Sequence, residues 1–121
     1  MRKRITARAI HRPGKMNGLE TQYGLHLSSL VAQGIIREYS FEVETLKIGE
    51  KRCSYTPDFR VIMPDGTVEF HEVKGFWRDD ARVKLKAAAA QHPYVFRAAT
   101  WDRKAKEWSI ETIQEDGELI V

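Results

Sequence analysis

A chain of 121 residues, 42% hydrophobic and 31% charged, fits one soluble globular domain with a real but modest core. No apolar run approaches the ~20 residues of a membrane helix, and no apolar stretch follows the basic N-terminus as a secretory signal requires. The single cysteine, Cys53, excludes an internal disulfide and fits a reducing cytoplasm. Its residue type favours burial as a small strand residue over service as a nucleophile.

The net charge of +3 understates an asymmetry. Residues 1–18 carry Arg2, Lys3, Arg4, Arg8, Arg12 and Lys15 and no acid. Residues 76–106 carry eight bases against Asp79, Asp80 and Asp102, and residues 107–121 carry five acids and no base. A basic arm and a basic second half suit a polyanion, most simply nucleic acid, although a solvated surface accounts for the charges equally well.

Residues 1–18 lack periodicity and contain Pro13-Gly14 and Asn17-Gly18, so a flexible basic arm is expected there. Leu19, Tyr23, Leu27, Leu30 and Val31 make one apolar stripe at helical spacing over 19–34, with Asn17 as N-cap and Gly34 as the stop. Glu20 in the first turn borders that stripe. It either complements the helix dipole or reaches towards a site on the strands. A first strand is expected over 35–46, with alternation from Tyr39 onward and one wet face. A turn centred on Gly49 leads to a second strand, roughly 52–63, in which Pro57 suits an edge or bulge that re-aims Asp58. Pro64-Asp65-Gly66 is a hairpin turn into a third strand over 67–75.

On that third strand, parity puts Phe70, Glu72 and Lys74 on one face and Glu69, His71 and Val73 on the other. His71 is therefore assigned a structural role. Asp79 or Asp80 caps a helix over about 80–91, where Arg82 and Lys86 share a face. Two strands, 94–101 and 107–113, follow, and 115–121 is an acidic tail. The fold class is α/β with a mixed sheet, in the order helix, three strands, helix, two strands, over a domain of 19–114. One helix on each side would bury both sheet faces.

Pro57-Asp58 followed by Glu72-Val73-Lys74 on the adjacent strand, after a helix carrying Glu20, resembles the PD-(D/E)XK nuclease superfamily. The longer run is similar to its small phage-encoded, Holliday-junction-resolvase-like nucleases. Gly18-Leu19-Glu20, Gly34-Ile35, Thr56-Pro57-Asp58-Phe59 and Glu72-Val73-Lys74-Gly75 carry that similarity, which covers roughly 17–100. Many relatives have a glutamine near the start of the first strand. Here the stretch from Arg37 to Glu42 has none, so Ser40 or Glu42 substitutes or the position is dispensable.

The resemblance implies that Asp58, Glu72 and the backbone carbonyl of Val73 hold Mg²⁺, with Mn²⁺ as a substitute, and that Glu20 completes the site directly or through water. Lys74 would orient the attacking water and stabilise the scissile phosphate. Arg82, Lys84 and Lys86, with the bases of the arm, would contact DNA. The expected function is a metal-dependent DNA endonuclease acting on double-stranded or branched DNA in a phage-infected bacterial cytoplasm. As a resolvase it would act as a homodimer, since one chain offers one active site for two strands. A non-catalytic DNA-binding module on the same fold is the alternative, and a small protein-contact domain is a third reading.

Overall fold

The computed structural model describes residues 14–49, 53–75 and 79–113. The acidic tail, and all of the basic arm except residues 14–18, lie outside them, and with the arm go Arg2, Lys3, Arg4, Arg8 and Arg12. The elements are α1 (Gly18–Ala32), β1 (Glu38–Phe41), β2 (Leu46–Lys47), β3 (Ser54–Tyr55), β4 (Phe59–Ile62), β5 (Val68–Val73), α2 (Asp79–Gln91), β6 (Val95–Asp102) and β7 (Glu107–Thr112). Five strands form one mixed sheet in the order β1-β4-β5-β6-β7, and β2 and β3 form a separate two-stranded ribbon. Only β5 and β6 are parallel; the other neighbours run antiparallel. No helix among the described residues is long and apolar enough to cross a membrane.

Two expected strands are corrected. The stretch 35–46 does not stay extended: Glu42 takes a φ of 48°, a left-handed value that breaks a strand, and the chain leaves β1 to start β2 in the other sheet. The stretch 52–63 divides at Thr56-Pro57-Asp58 into β3 and β4, because Pro57 has no N–H to continue a ladder. Cys53 is exposed beside the Gly49 turn, not buried in a strand.

The sheet is covered on both faces, and strand parity decides which residues go where. On one face α1 seats Tyr23 and Leu27 against Phe59, Val61, Val73 and Ala99. On the other, α2 seats Leu85 and Ala88 against Phe70, Phe96 and Ala98, and the ribbon residues Leu46 and Tyr55 close that cluster. The small side chains of the alanine run let α2 lie close to the strands. The β4–β5 hairpin turns as its residues dictate: Gly66 has φ 91°, Gly66 N–H donates to the Met63 carbonyl, and Asp65 Oδ1 accepts the Thr67 N–H at 2.9 Å.

The start of α1 is held by a reciprocal capping box. Asn17 Oδ1 accepts the Glu20 N–H at 2.8 Å, and Glu20 Oε1 accepts the Asn17 N–H at 2.9 Å. Asn17→Ala is expected to cost about 1 kcal/mol in a urea titration, the usual worth of such a cap. A loss below ~0.3 kcal/mol would mean that packing alone sets the start of this helix.

Candidate functional site

β5 ends beside the start of β4, and this junction gathers the charged side chains. The ladder pairs Phe59 with His71, so one step back places Asp58 opposite Glu72. Beyond that step Pro57 would sit opposite Val73, outside regular strand, and the Asp58 side chain takes over as acceptor: Asp58 Oδ2 accepts the Val73 N–H at 2.8 Å. The break at Pro57 thus aims the carboxylate at the end of β5. Glu72 Oε1 accepts the Tyr55 hydroxyl at 2.5 Å and the Asp58 N–H at 3.3 Å. Glu72 Oε2 faces Lys74 Nζ at 3.5 Å. Asp58 and Glu72 are 7% and 8% exposed, whereas the Lys74 side chain is 36% exposed.

Glu20 is buried at the start of α1, close enough to Asp58 for its charge to act on that group. The same end of α1 meets the end of β5, where Leu19 lies against Gly75. Each of the three carboxylates therefore has one oxygen held by a backbone N–H. Among the described residues, no hydrogen bond reaches the other oxygen of Asp58 or Glu20, and that of Glu72 meets only Lys74. The structure thus brings Asp58, Glu72 and Lys74 together and places Glu20 nearby. No group of three or more His, Cys, Asp or Glu among the described residues is arranged to hold a metal ion as the side chains stand.

The electrostatics follow from crowding acids in a dry place. Burial and the Glu72 charge push the Asp58 carboxyl up to about 9, against the pull of the Val73 N–H; Glu20 raises it further and Lys74 lowers it. Glu72 is also raised, chiefly by burial, although the Tyr55 hydroxyl and Lys74 oppose the shift. A proton, or a cation, is the physical remedy for such a pair.

The native value of Asp58 lies above its ordinary one, so the native state holds an extra proton between about pH 4 and about pH 9. Stability is then greatest at the acid end of that window and falls as pH rises through it, by at most ~1.4 kcal/mol per pH unit for one group. Melting temperatures measured in EDTA across the window should decline. Asp58→Asn should flatten the curve, and an equally steep decline in that variant would remove Asp58 as the cause.

The opposite face of β5 carries a different network. Tyr23 Oη lies 2.6 Å from His71 Nδ1, and His71 Nε2 lies 2.9 Å from Glu69 Oε1. Arg97 on β6 donates to both Glu69 oxygens, at 2.9 and 3.2 Å, and its Nη1 donates to Thr112 on β7 at 2.5 Å. Burial alone would raise Glu69, but the hydrogen bonds from His71 and Arg97 outweigh it and bring the carboxyl to about 2. With Glu69 ionised and accepting, His71 Nε2 donates to it, and Nδ1 shares a hydrogen bond with the Tyr23 hydroxyl. His71 is thus tied into the α1 face of the sheet, as its parity requires.

Of the expected nucleic-acid contacts, Lys15, Lys84 and Lys86 are exposed. Arg82 donates to Glu111 on β7 at 2.8 Å and so fastens α2 to the far edge of the sheet. Sequence reasoning missed Tyr55 and the Glu69–Arg97 pair. The signal for Tyr55 was its place three residues before Asp58, and that for Glu69 was its shared face with His71. Compared with protein-family models, with curated proteins and with solved structures, the chain matches none.

Proposed function

We propose that the protein is a Mg²⁺-dependent DNA endonuclease of the PD-(D/E)XK kind. The observation that carries this reading is the buried pair, Asp58 and Glu72, at the meeting of β4 and β5, with Lys74 beside it. Each carboxylate has one oxygen engaged by a backbone N–H, and Glu20 lies close enough to act on Asp58 by its charge. Such a set of hard oxygens with surplus negative charge fits Mg²⁺ or Mn²⁺. The mixed α/β fold, with a helix on each face of a five-stranded mixed sheet, is compatible with this reading.

In this reading Asp58, Glu72 and the Val73 carbonyl would hold the ion, and Glu20, whose Oε1 serves the helix cap, would complete the site with its other oxygen, directly or through water. A bound divalent ion would supply a water of lowered pKa and positive charge at the phosphoryl oxygen. Lys74 orients the attacking water and neutralises charge growing on the scissile phosphate. Tyr55 and the Asp58 N–H engage Oε1 of Glu72 and leave Oε2, which faces Lys74, as the oxygen an ion would take. A preference for branched DNA, and pairing of two chains to cut two strands, belong to the same proposal.

A second reading, a DNA-binding module without cleavage, draws on the observation that no three carboxylates are yet arranged as ligands among the described residues. Incubating the protein with four-way junction, flap and duplex DNA separates the two. The proposal expects cleavage of at least one form with Mg²⁺ and none with EDTA. Binding without cleavage of any form in Mg²⁺ or Mn²⁺ would favour the module.

A further inference from the structure

The parallel pairing of β5 and β6 sets a second feature on the rim of the carboxylate site. Val73 pairs with Ala99, and Lys74 N–H donates to the Ala99 carbonyl at 3.0 Å. β6 continues in the same direction to Asp102, three residues beyond Ala99, a rise of about 10 Å. There the chain turns through residues 103–106 into β7. The tip of this hairpin carries Arg103, Lys104 and Lys106, all exposed. Among the described residues none of the three is in an ion pair.

Two acids, Asp102 and Glu107, flank the three cations, and the tip keeps a net positive charge. Asp102 Oδ1 accepts the N–H groups of Lys104 at 2.9 Å and Ala105 at 3.0 Å, so its carboxylate is engaged by the backbone of the turn. Glu107 is exposed at the start of β7, and Glu111 further along is engaged by Arg82. The stem is stiffened by Trp101 and Trp108, paired across the ladder with ring centroids 5.3 Å apart in an edge-to-face contact.

One further detail is a backbone cost. Lys106 has φ 56°, in the left-handed region where glycine is at ease and a side chain costs about 1 kcal/mol. Its N–H closes the turn onto the Asp102 carbonyl at 2.7 Å. The turn therefore places a lysine where glycine would fit better, and the lysine adds a third cation to the tip.

We propose that the β6–β7 hairpin tip, through Arg103, Lys104 and Lys106, is a nucleic-acid backbone clamp that grips the DNA next to the strand held at the Asp58–Glu72 end of the sheet. The inference rests on the reading of that site as one for nucleic acid, but not on cleavage. Duplex DNA carries one charge per ~1.7 Å of axis, so phosphates are available at both places along one bound segment.

The test is the salt dependence of binding to fluorescein-labelled duplex and four-way junction DNA, in EDTA, by anisotropy. The variant combines Arg103→Ser, Lys104→Ser and Lys106→Gly; glycine keeps the left-handed residue of the turn. Its melting temperature should be equal to or above that of the parent. Each phosphate contact contributes about 0.9 to the slope of log K against log salt. The variant should therefore lose about two to three from that slope, and at least about tenfold in affinity at low salt. A parent that binds DNA and a variant with unchanged slope and affinity would overturn the clamp, while cleavage by the parent would still uphold the nuclease reading. DNA binding with the expected change of slope, but no cleavage, would uphold the clamp and defeat the nuclease reading. A parent that binds phosphatidylserine vesicles and no DNA would overturn both.

Discussion

Asp58→Asn is expected to abolish Mg²⁺-dependent cleavage, by roughly 10³-fold or more, and to leave the fold intact. Losing one preorganised electrostatic partner of a transition state already costs about 10²–10³, and here the lost group is also a proposed metal ligand. Asparagine keeps the shape of the side chain, and its carbonyl oxygen can still accept the Val73 N–H that Asp58 accepts. It removes one of two crowded, buried negative charges, so without metal the variant should be more stable than the parent at the alkaline end of the pH window. Lys74→Ala should lose cleavage on a similar scale for a different reason, and its stability should move the other way, because Glu72 loses its only side-chain counter-charge among the described residues. Opposite stability shifts with a shared loss of activity distinguish a site from a misfolded domain. Cleavage by Asp58→Asn at the parental rate would place the chemistry elsewhere.

Glu69→Ala has the largest expected effect on stability, about 3 kcal/mol. Removing one partner of a buried ion pair costs ~3–5 kcal/mol, and the Arg97 side chain, 32% exposed, recovers some hydration, which favours the low end. The change strips the guanidinium of both its carboxylate bonds and leaves the buried His71 Nε2–H without its acceptor. The link between β5 and β6 on that face is then lost, and the melting temperature should fall by roughly 10 °C. The network lies on the α1 face, across the sheet from Glu72, so cleavage per folded molecule should be unchanged. A loss of activity without a loss of stability would mean that Tyr23, His71 and Glu69 serve the reaction and not the fold.

Much of this architecture is legible in the sequence because it is local. Asn17 announces the start of α1 as its N-cap, and Pro64-Asp65-Gly66 announces the β4–β5 turn. Parity along 69–74 separates Glu72 and Lys74 from Glu69 and His71 with no knowledge of the neighbours. What escapes is decided at a distance. The strand expected over 35–46 reads as continuous, and its break depends on a left-handed Glu42 whose N–H donates to the Asp58 carbonyl just before β4. Tyr55 looks like one more alternating aromatic until a separate ribbon carries its hydroxyl to Glu72. Glu69 and Arg97 stand 28 residues apart, and only the parallel β5–β6 pairing brings them together.

The central claim is that Asp58 and Glu72 share a divalent cation. A crystal structure of the protein grown with Mn²⁺ tests it most directly, through the anomalous signal of the metal. The account predicts one strong peak between the free oxygen of Asp58 and Oε2 of Glu72, bonded also to the Val73 carbonyl, with Lys74 beside its water shell. A fully ordered site without such a peak, with Glu72 Oε2 still turned to Lys74, would contradict it.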